Sequence, residues 1–271
     1  MEKPSGRIWL VGVLLAGVVL TACQPGAPTP TATSSVPKPT STSAEATTPI
    51  PAPTEANQTQ APISKDVRLD PAIAPEADSA TVNGYLYEGL VKMEGGSPAP
   101  ALAISWIISE DGLDYIFSLR PGVVFHDDSP LNADAVTANF NRWFDPEDPL
   151  HGTGTYSDWQ EFFLGFKGKT EEDGSPKSSF DGIEKVNDLT VLIHLNRQDE
   201  ALLTNLAQTA FSIVNPTALA AEGDKYGTAA GSASGTGPYS VSERTETQLV
   251  LAPNSKYWGT VPAGSLEFPY K

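Results

Sequence analysis

Apolar positions fall into three regimes along this chain. Residues 8–20 form a continuous apolar run of about 13 residues behind Lys3 and Arg7. That is short of the ~20 a spanning helix needs and fits the apolar region of a secretion signal. Over 24–61 large apolar side chains nearly vanish and Pro, Thr, Ser and Ala take over. Such a composition cannot bury enough surface to offset the entropy of ordering, so it reads as a disordered stalk, stiffened by its prolines. A glycosylated mucin-like segment is compatible with the same composition. From Pro62 onward apolar residues return at regular spacings, which leaves roughly 210 residues for a folded head.

Within the head the spacings predict particular elements. Val82, Leu86 and Leu90, with Tyr85 between them, predict a short helix over 82–91 after a candidate cap at Asp78. Residues 105–108 and 114–120 flank Glu110-Asp111-Gly112 and predict a β-hairpin, with Tyr115, Phe117 and Leu119 on one face. Pro121-Gly122 ends its second strand. Asn132 is placed to cap a helix that carries Val136, Phe140 and Trp143 in one stripe, and Pro146 stops it. Strands are predicted over 190–195 and 248–252, and a helix over 200–211 with Leu202, Leu203, Leu206 and Ala210 inward. The head is therefore expected to be mixed α/β.

One residue changes the picture at the start of the chain. Cys23 is the only cysteine, so an internal disulfide or a CxxC pair is excluded. The small residues Thr21 and Ala22 suit a signal-peptidase pocket, and Leu20-Thr21-Ala22-Cys23 resembles a bacterial lipobox, whose cysteine is diacylated and becomes the mature N-terminus. The competing reading is an uncleaved anchor. Acyl chains contribute about 0.8 kcal/mol per buried CH₂, so two or more give lasting attachment. The expected organisation is a lipoprotein signal peptide over 1–22, a stalk over 23–61 and a head over 62–271, held outside the cell at the surface or in the periplasm. A net charge of −16 and a pI near 4.5 argue against nucleic acid and against a head lying flat on anionic lipid.

Candidate chemistry is sparse. His126, His151 and His194 lack HExxH or HxH spacing, so no metal site is expected. His126-Asp127-Asp128 follows a strand and precedes Ser129-Pro130, and reads as a solvated turn. Asp145-Pro146-Glu147-Asp148 lacks the alternating oxygen ligands of a calcium loop and reads as the end of a helix. The glycine-rich stretch 231–239 exposes backbone N–H groups, but Pro238 stands where a phosphate loop continues into a helix. No Gly-x-Ser-x-Gly elbow accompanies a Ser/His/Asp set. Neither an enzyme nor a cofactor is expected.

Several stretches, taken in order, carry a family resemblance. They are Leu69-Asp70-Pro71, Tyr87-Glu88-Gly89-Leu90-Val91, Pro100-Ala101-Leu102-Ala103 with Ser105-Trp106, and Ser109-Glu110-Asp111-Gly112-Leu113. Phe117-Ser118-Leu119-Arg120-Pro121-Gly122-Val123 with Phe125-His126-Asp127, and Asn132-Ala133-Asp134-Ala135-Val136, follow. Ser234-Gly235-Thr236-Gly237-Pro238-Tyr239 and Asn254-Ser255-Lys256-Tyr257-Trp258-Gly259 complete the set. Together they resemble the extracellular solute-binding proteins, family 5, of peptide, dipeptide and nickel ABC importers. Leu102, Trp106, Tyr115 and Phe117 are expected in the core, and Gly89, Gly122 and Gly237 at turns.

The resemblance implies a periplasmic-binding-protein-like (type II) fold in which two lobes close on a solute and a membrane permease reads the closed form. In the family the Tyr-Trp-Gly segment marks about where the chain leaves the first lobe for the second, and this sequence runs only to Lys271. The expectation is thus a first lobe with an inserted subdomain over about 86–185 and the second lobe missing. By resemblance the loop Ala74-Pro75-Glu76-Ala77-Asp78 is a cleft edge where Glu76 or Asp78 meets a cationic group, and Thr236 and Gly237 lie near the hinge side of the cleft. The expected partners are an ABC permease, a peptide or other small solute, and the membrane through the lipid anchor. A half-length surface lipoprotein that keeps the fold but has lost transport and ligand binding is the alternative.

Overall fold

The computed structural model describes residues 57–271. The signal peptide, Cys23 and most of the expected stalk lie outside the described residues. The chain enters with a short strand β1 (Gln58–Thr59), a 3-10 turn at Pro71–Ile73 and helix α1 (Ala77–Leu86). Strands β2 (Val91–Glu94), β3 (Ser97–Pro100), β4 (Ala103–Ile108) and β5 (Asp114–Leu119) follow, then helices α2 (Ala133–Phe144) and α3 (Ser157–Phe163). Next come β6 (Phe180–Asn187), β7 (Thr190–Leu195), α4 (Leu202–Leu206), a 3-10 turn at Thr209–Phe211 and α5 (Pro216–Glu222). Strands β8 (Tyr239–Arg244), β9 (Gln248–Pro253) and β10 (Leu266–Pro269) complete the order.

These strands make two four-stranded sheets, in orders β4-β5-β7-β6 and β1-β10-β9-β8, and a separate β2-β3 hairpin. The first sheet is antiparallel throughout, with Phe117 opposite Trp106 on one side and Val191 on the other. Strict alternation explains it: Tyr115, Phe117 and Leu119 of β5 and Val191, Ile193 and Leu195 of β7 turn one way and are buried. The hairpin turn has Gly112 at φ +67, as Asp-Gly predicts. Helix α2 lies across β6 and β7. Its Asn132 cap accepts the Ala135 N–H at 3.0 Å, and Val136, Phe140 and Trp143 all point into the sheet. Phe140 stacks on Phe180 at 5.8 Å, and Trp159 on Phe163 at 4.2 Å, which fills this core with rings.

A second core lies beneath the other sheet, where Val82 and Leu86 of α1 meet Leu249, Leu251, Leu266 and Phe268. Between the two cores stands a buried ion pair. Arg142 of α2 reaches Asp70, donating from Nη1 at 3.1 Å and from Nη2 at 2.6 Å, with both side chains almost fully enclosed. Burial alone would lower the Arg142 pKa, but Asp70 outweighs it and raises it further. Asp70 also accepts the Ala72 N–H and so caps the 3-10 turn.

Several expected boundaries shift, each for a local reason. The helix expected over 82–91 starts at Ala77 and stops at Leu86, because Tyr87 turns extended and its N–H closes on Asn83. Asp78 therefore sits in the first turn, and Glu76 occupies the cap position without a side-chain cap bond. The helix expected over 200–211 breaks after Leu206: Gln208 is extended, and the 3-10 turn carries Phe211 into the aromatic core. Trp106 is only partly buried, packed against that core from an edge strand. Strand β1 pairs with β10 at Gln58 and Thr59, so ordered chain begins ahead of Pro62. The first sheet extends to Leu195, ten residues beyond the 185 at which the inserted subdomain is expected to end.

Candidate functional site

The family motifs, scattered along the sequence, converge on one carboxylate. Glu88 lies just after α1, where the chain leaves the helix in an extended conformation. Its Oε2 accepts from the Thr236 hydroxyl at 2.8 Å and from Trp258 Nε1 at 2.9 Å, and its Oε1 accepts from the Tyr257 hydroxyl at 2.9 Å. Burial pushes the Glu88 carboxyl above its ordinary value, against the pull of those three hydrogen bonds and of Arg120. The Arg120 guanidinium stacks over the Trp258 ring at 3.9 Å, and its Nε donates to the Ala101 carbonyl at 3.2 Å. Tyr257, Trp258 and Arg120 remain half-exposed, while Thr236 is 1% exposed.

The glycine loop beside Glu88 is threaded through space that no side chain could share. A Cβ on Gly235 would lie 2.1 Å from the Leu86 carbonyl oxygen, and one on Gly237 would lie 2.5 Å from that of Tyr85. Neither glycine has a positive φ, so close approach rather than turn geometry requires them. Gly89 is similar, its Cβ position 3.0 Å from the Leu206 carbonyl oxygen, whereas Gly122 does sit in a turn at φ +76.

His126 pins the same loop. Gly235 N–H donates to Nδ1 at 3.2 Å, so Nε2 carries the proton and donates to the Gly237 carbonyl at 3.2 Å, while the His126 N–H donates to the Gly235 carbonyl. Burial lowers the pKa of this imidazole. The solvated turn expected over 126–128 is thus solvated only at its aspartates: Asp127 accepts from Asn215 at 2.7 Å, and Asp128 pairs with Lys256. His126 is a peg between two segments, a role its neighbours in sequence do not announce.

The other expected contact residues lie apart from this cluster. Glu76 and Asp78 line a cavity of about 390 Å³ with Asp66, Ser79 and Lys271. The Asp78 carboxylate accepts from Lys271 Nζ at 2.8 Å and from the Ser64 N–H at 2.7 Å, which hold it below the usual carboxylate range. Glu76 is exposed. Elsewhere His194 Nδ1 donates to the Asp114 carboxylate at 2.7 Å on the outer face of the first sheet. Among the described residues no three His, Cys, Asp or Glu side chains are grouped to hold a metal ion.

The arrangement around Glu88 is a scaffold of neutral donors on one carboxylate, presenting an arginine and two aromatic rings to solvent. Comparison with known proteins gives it a context. The family model for bacterial extracellular solute-binding proteins, family 5 Middle, matches residues 97–268. The chain belongs to this family. Among curated family 5 relatives, the glutathione-binding protein GsiB of Pectobacterium atrosepticum is 33% identical over 192 residues, covering 70% of this chain and 33% of that protein. Heme-binding protein A of Haemophilus influenzae is 33% identical over 213 residues, covering 73% of this chain and 37% of that protein.

Solved structures give the same fold. The periplasmic binding protein DppA from Helicobacter pylori, in complex with the peptide STSA, aligns with a TM-score of 0.67 and 26% identity over 80% of this chain and 43% of that one. HbpA2 from Haemophilus parasuis aligns with a TM-score of 0.67 and 29% identity, over 79% and 43%. The family 5 fold is thus present as a mixed α/β lobe, and the chain spans about a third of the length of the curated relatives it matches. Among the described residues no helix is long and apolar enough to cross a membrane.

Proposed function

We propose that this chain is the solute-capturing part of a lipid-anchored binding protein that serves an ABC importer, and that its solute is a peptide or a small peptide-like molecule. Membership of family 5, at 33% identity to a glutathione-binding relative, is the observation that carries the reading. The half-exposed Arg120, Tyr257 and Trp258, ordered by Glu88 before any ligand arrives, suit one wall of a binding cleft, since preorganised groups lose little entropy on binding. In this reading Glu76 and Asp78 form a cleft edge for a cationic group. Thr236 and Gly237 act from beneath, through Glu88 and the loop backbone. Residues 86–185 form most of the inserted subdomain, and no covalent chemistry is required.

Cys23, after the small residues Thr21 and Ala22, is the acylated residue, and the Pro/Thr/Ser-rich stretch that begins at Gln24 is the stalk that spaces the head from the membrane. Intact mass of the protein from a membrane fraction tests the anchor: a mass starting at Cys23 plus two or three acyl chains is expected, and an unacylated mass defeats it. Thermal unfolding of the full chain with glutathione, a dipeptide mixture and heme, each in turn, tests the solute class. A saturable rise with a peptide-type solute supports the reading. The absence of any rise, or a rise with heme alone, overturns it.

A further inference from the structure

The two edges of the first sheet differ in character. Strand β6 at one edge carries Asp181, Glu184 and Lys185, and such charges discourage another strand from pairing there. Strand β4 at the other edge reads Ala-Ile-Ser-Trp-Ile-Ile and carries none. Three of the eight exposed large apolar side chains among the described residues, Ile104, Ile107 and Ile108, belong to this one strand. Apolar side chains gathered so on a surface mark a place of association.

The ladder fixes which backbone groups of β4 are open. The Ser109 N–H donates to the Asp114 carbonyl at 2.9 Å. Antiparallel pairs alternate between hydrogen-bonded and non-hydrogen-bonded, so Ile107 bonds to Ile116, and the N–H and C=O groups of Trp106 and Ile108 point away from β5. Among the described residues no strand or loop backbone meets them.

These open groups are complementary to themselves about Ile107. A two-fold axis at that residue sets it opposite its own copy as a non-hydrogen-bonded pair. On either side Trp106 then stands opposite Ile108 of the second copy, and each such pair exchanges both of its backbone hydrogen bonds. The row Leu192, Ile116 and Ile107 runs without a break into the same row of the second copy. On the other face of the sheet Ile108 of the second copy lies against the partly buried Trp106. The nearest acid, Glu110, falls opposite Ile104 of the second copy, so the axis brings no like charges together.

We infer that β4 is a dimer interface, at which two copies of this chain join edge to edge, antiparallel and centred on Ile107, into one continuous sheet. The interface goes beyond solute capture and shares no residue with the Glu88 cluster.

Disulfide cross-linking of the full chain tests it, with Cys23→Ser throughout so that the introduced thiol is the only one. Across the two-fold axis the two Ile107 Cα atoms lie about 4.5 Å apart, inside disulfide reach. The two Ile116 positions lie roughly 14 Å apart, three strand spacings away. Val186 is exposed at the opposite edge of the sheet. Under mild oxidation Ile107→Cys is expected to form covalent dimers at least about tenfold faster than Ile116→Cys or Val186→Cys, since thiols held together react as if highly concentrated. Adding Ile108→Pro, which removes an outward N–H and leaves the thiol exposed, is expected to return the Ile107→Cys rate to that of the other two. The three single-thiol chains keep the test decisive if the proline variant does not fold. Equal rates at the three positions would mean random collision and overturn the inference. So would rapid cross-linking at Ile107→Cys that persists in a folded Ile108→Pro chain.

Discussion

Leu164 sits just after α3 at φ +66 with its side chain 45% exposed, so it carries left-handed strain and little packing in return. For a residue other than glycine that conformation costs roughly 1–2 kcal/mol. Leu164→Gly is expected to stabilise the head by about 1 kcal/mol in urea unfolding, less whatever the leucine gains by contact. Asp70 is the opposite case. Asp70→Asn keeps the shape but leaves the Arg142 charge buried and unpaired, at an expected cost of about 3–5 kcal/mol. Asp145→Asn breaks only the exposed pair with Lys167 and is expected to cost under about 1 kcal/mol.

Glu88 makes a pH-dependent contribution of definite sign. Its folded pKa is raised, so the ionised form is penalised in the fold: the penalty is absent below the unfolded value near 4.5 and sets in as pH rises to the raised folded value. Glu88→Gln is neutral throughout. The stability of the wild type relative to this variant should therefore fall as pH rises through that window, and a difference that does not change with pH would refute the assignment.

At the scale of elements, the loop 235–237 is held from both sides, by Leu86 of α1 and by His126 after β5. The His126 pKa is lowered, so its contribution is fully present above the unfolded value near 6.5 and is lost as pH falls from there to the lowered folded value. Wild-type stability is expected to drop across that range relative to His126→Gln, as followed by urea midpoints between pH 7 and 5. Elements that face one core were legible in sequence: β5 and β7 alternate strictly, and α2 has both a capping Asn132 and a clean stripe. Helix α1 was placed five residues late because two of its four buried residues are the polar Ser79 and Asn83, which blur the helical period. Strands β1, β2, β3, β6, β8 and β10 are not predicted by the spacings. None has more than two buried residues, which leaves little apolar period to read, and β10 pairs on one side with β1 from the other end of the described residues.

At the scale of the whole molecule, the first sheet leaves an apolar row on its outer face, where Ile107 of the edge strand β4 stands opposite Ile116, which in turn stands opposite Leu192. Ile107 is 68% exposed. A charge on an edge strand discourages strand-to-strand association. Ile107→Lys is expected to leave the unfolding midpoint nearly unchanged and to reduce self-association of the head at high concentration in sedimentation velocity. Equal association of both proteins would show that the row is inert.

The sequence by itself determined what is local or cumulative: the hairpin around Gly112, the capped α2 and the ordered motifs that mark family 5. Composition and spacing act over a few residues, where backbone geometry and side-chain periodicity are decided. The tertiary structure alone decided which motifs meet. Thr236, Tyr257 and Trp258 reach Glu88 from 148, 169 and 170 residues away, and Asp70 reaches Arg142 across 72. A hydrogen bond between groups so far apart leaves no periodic trace in either segment. Folding must first bring the two segments together and exclude water from between them.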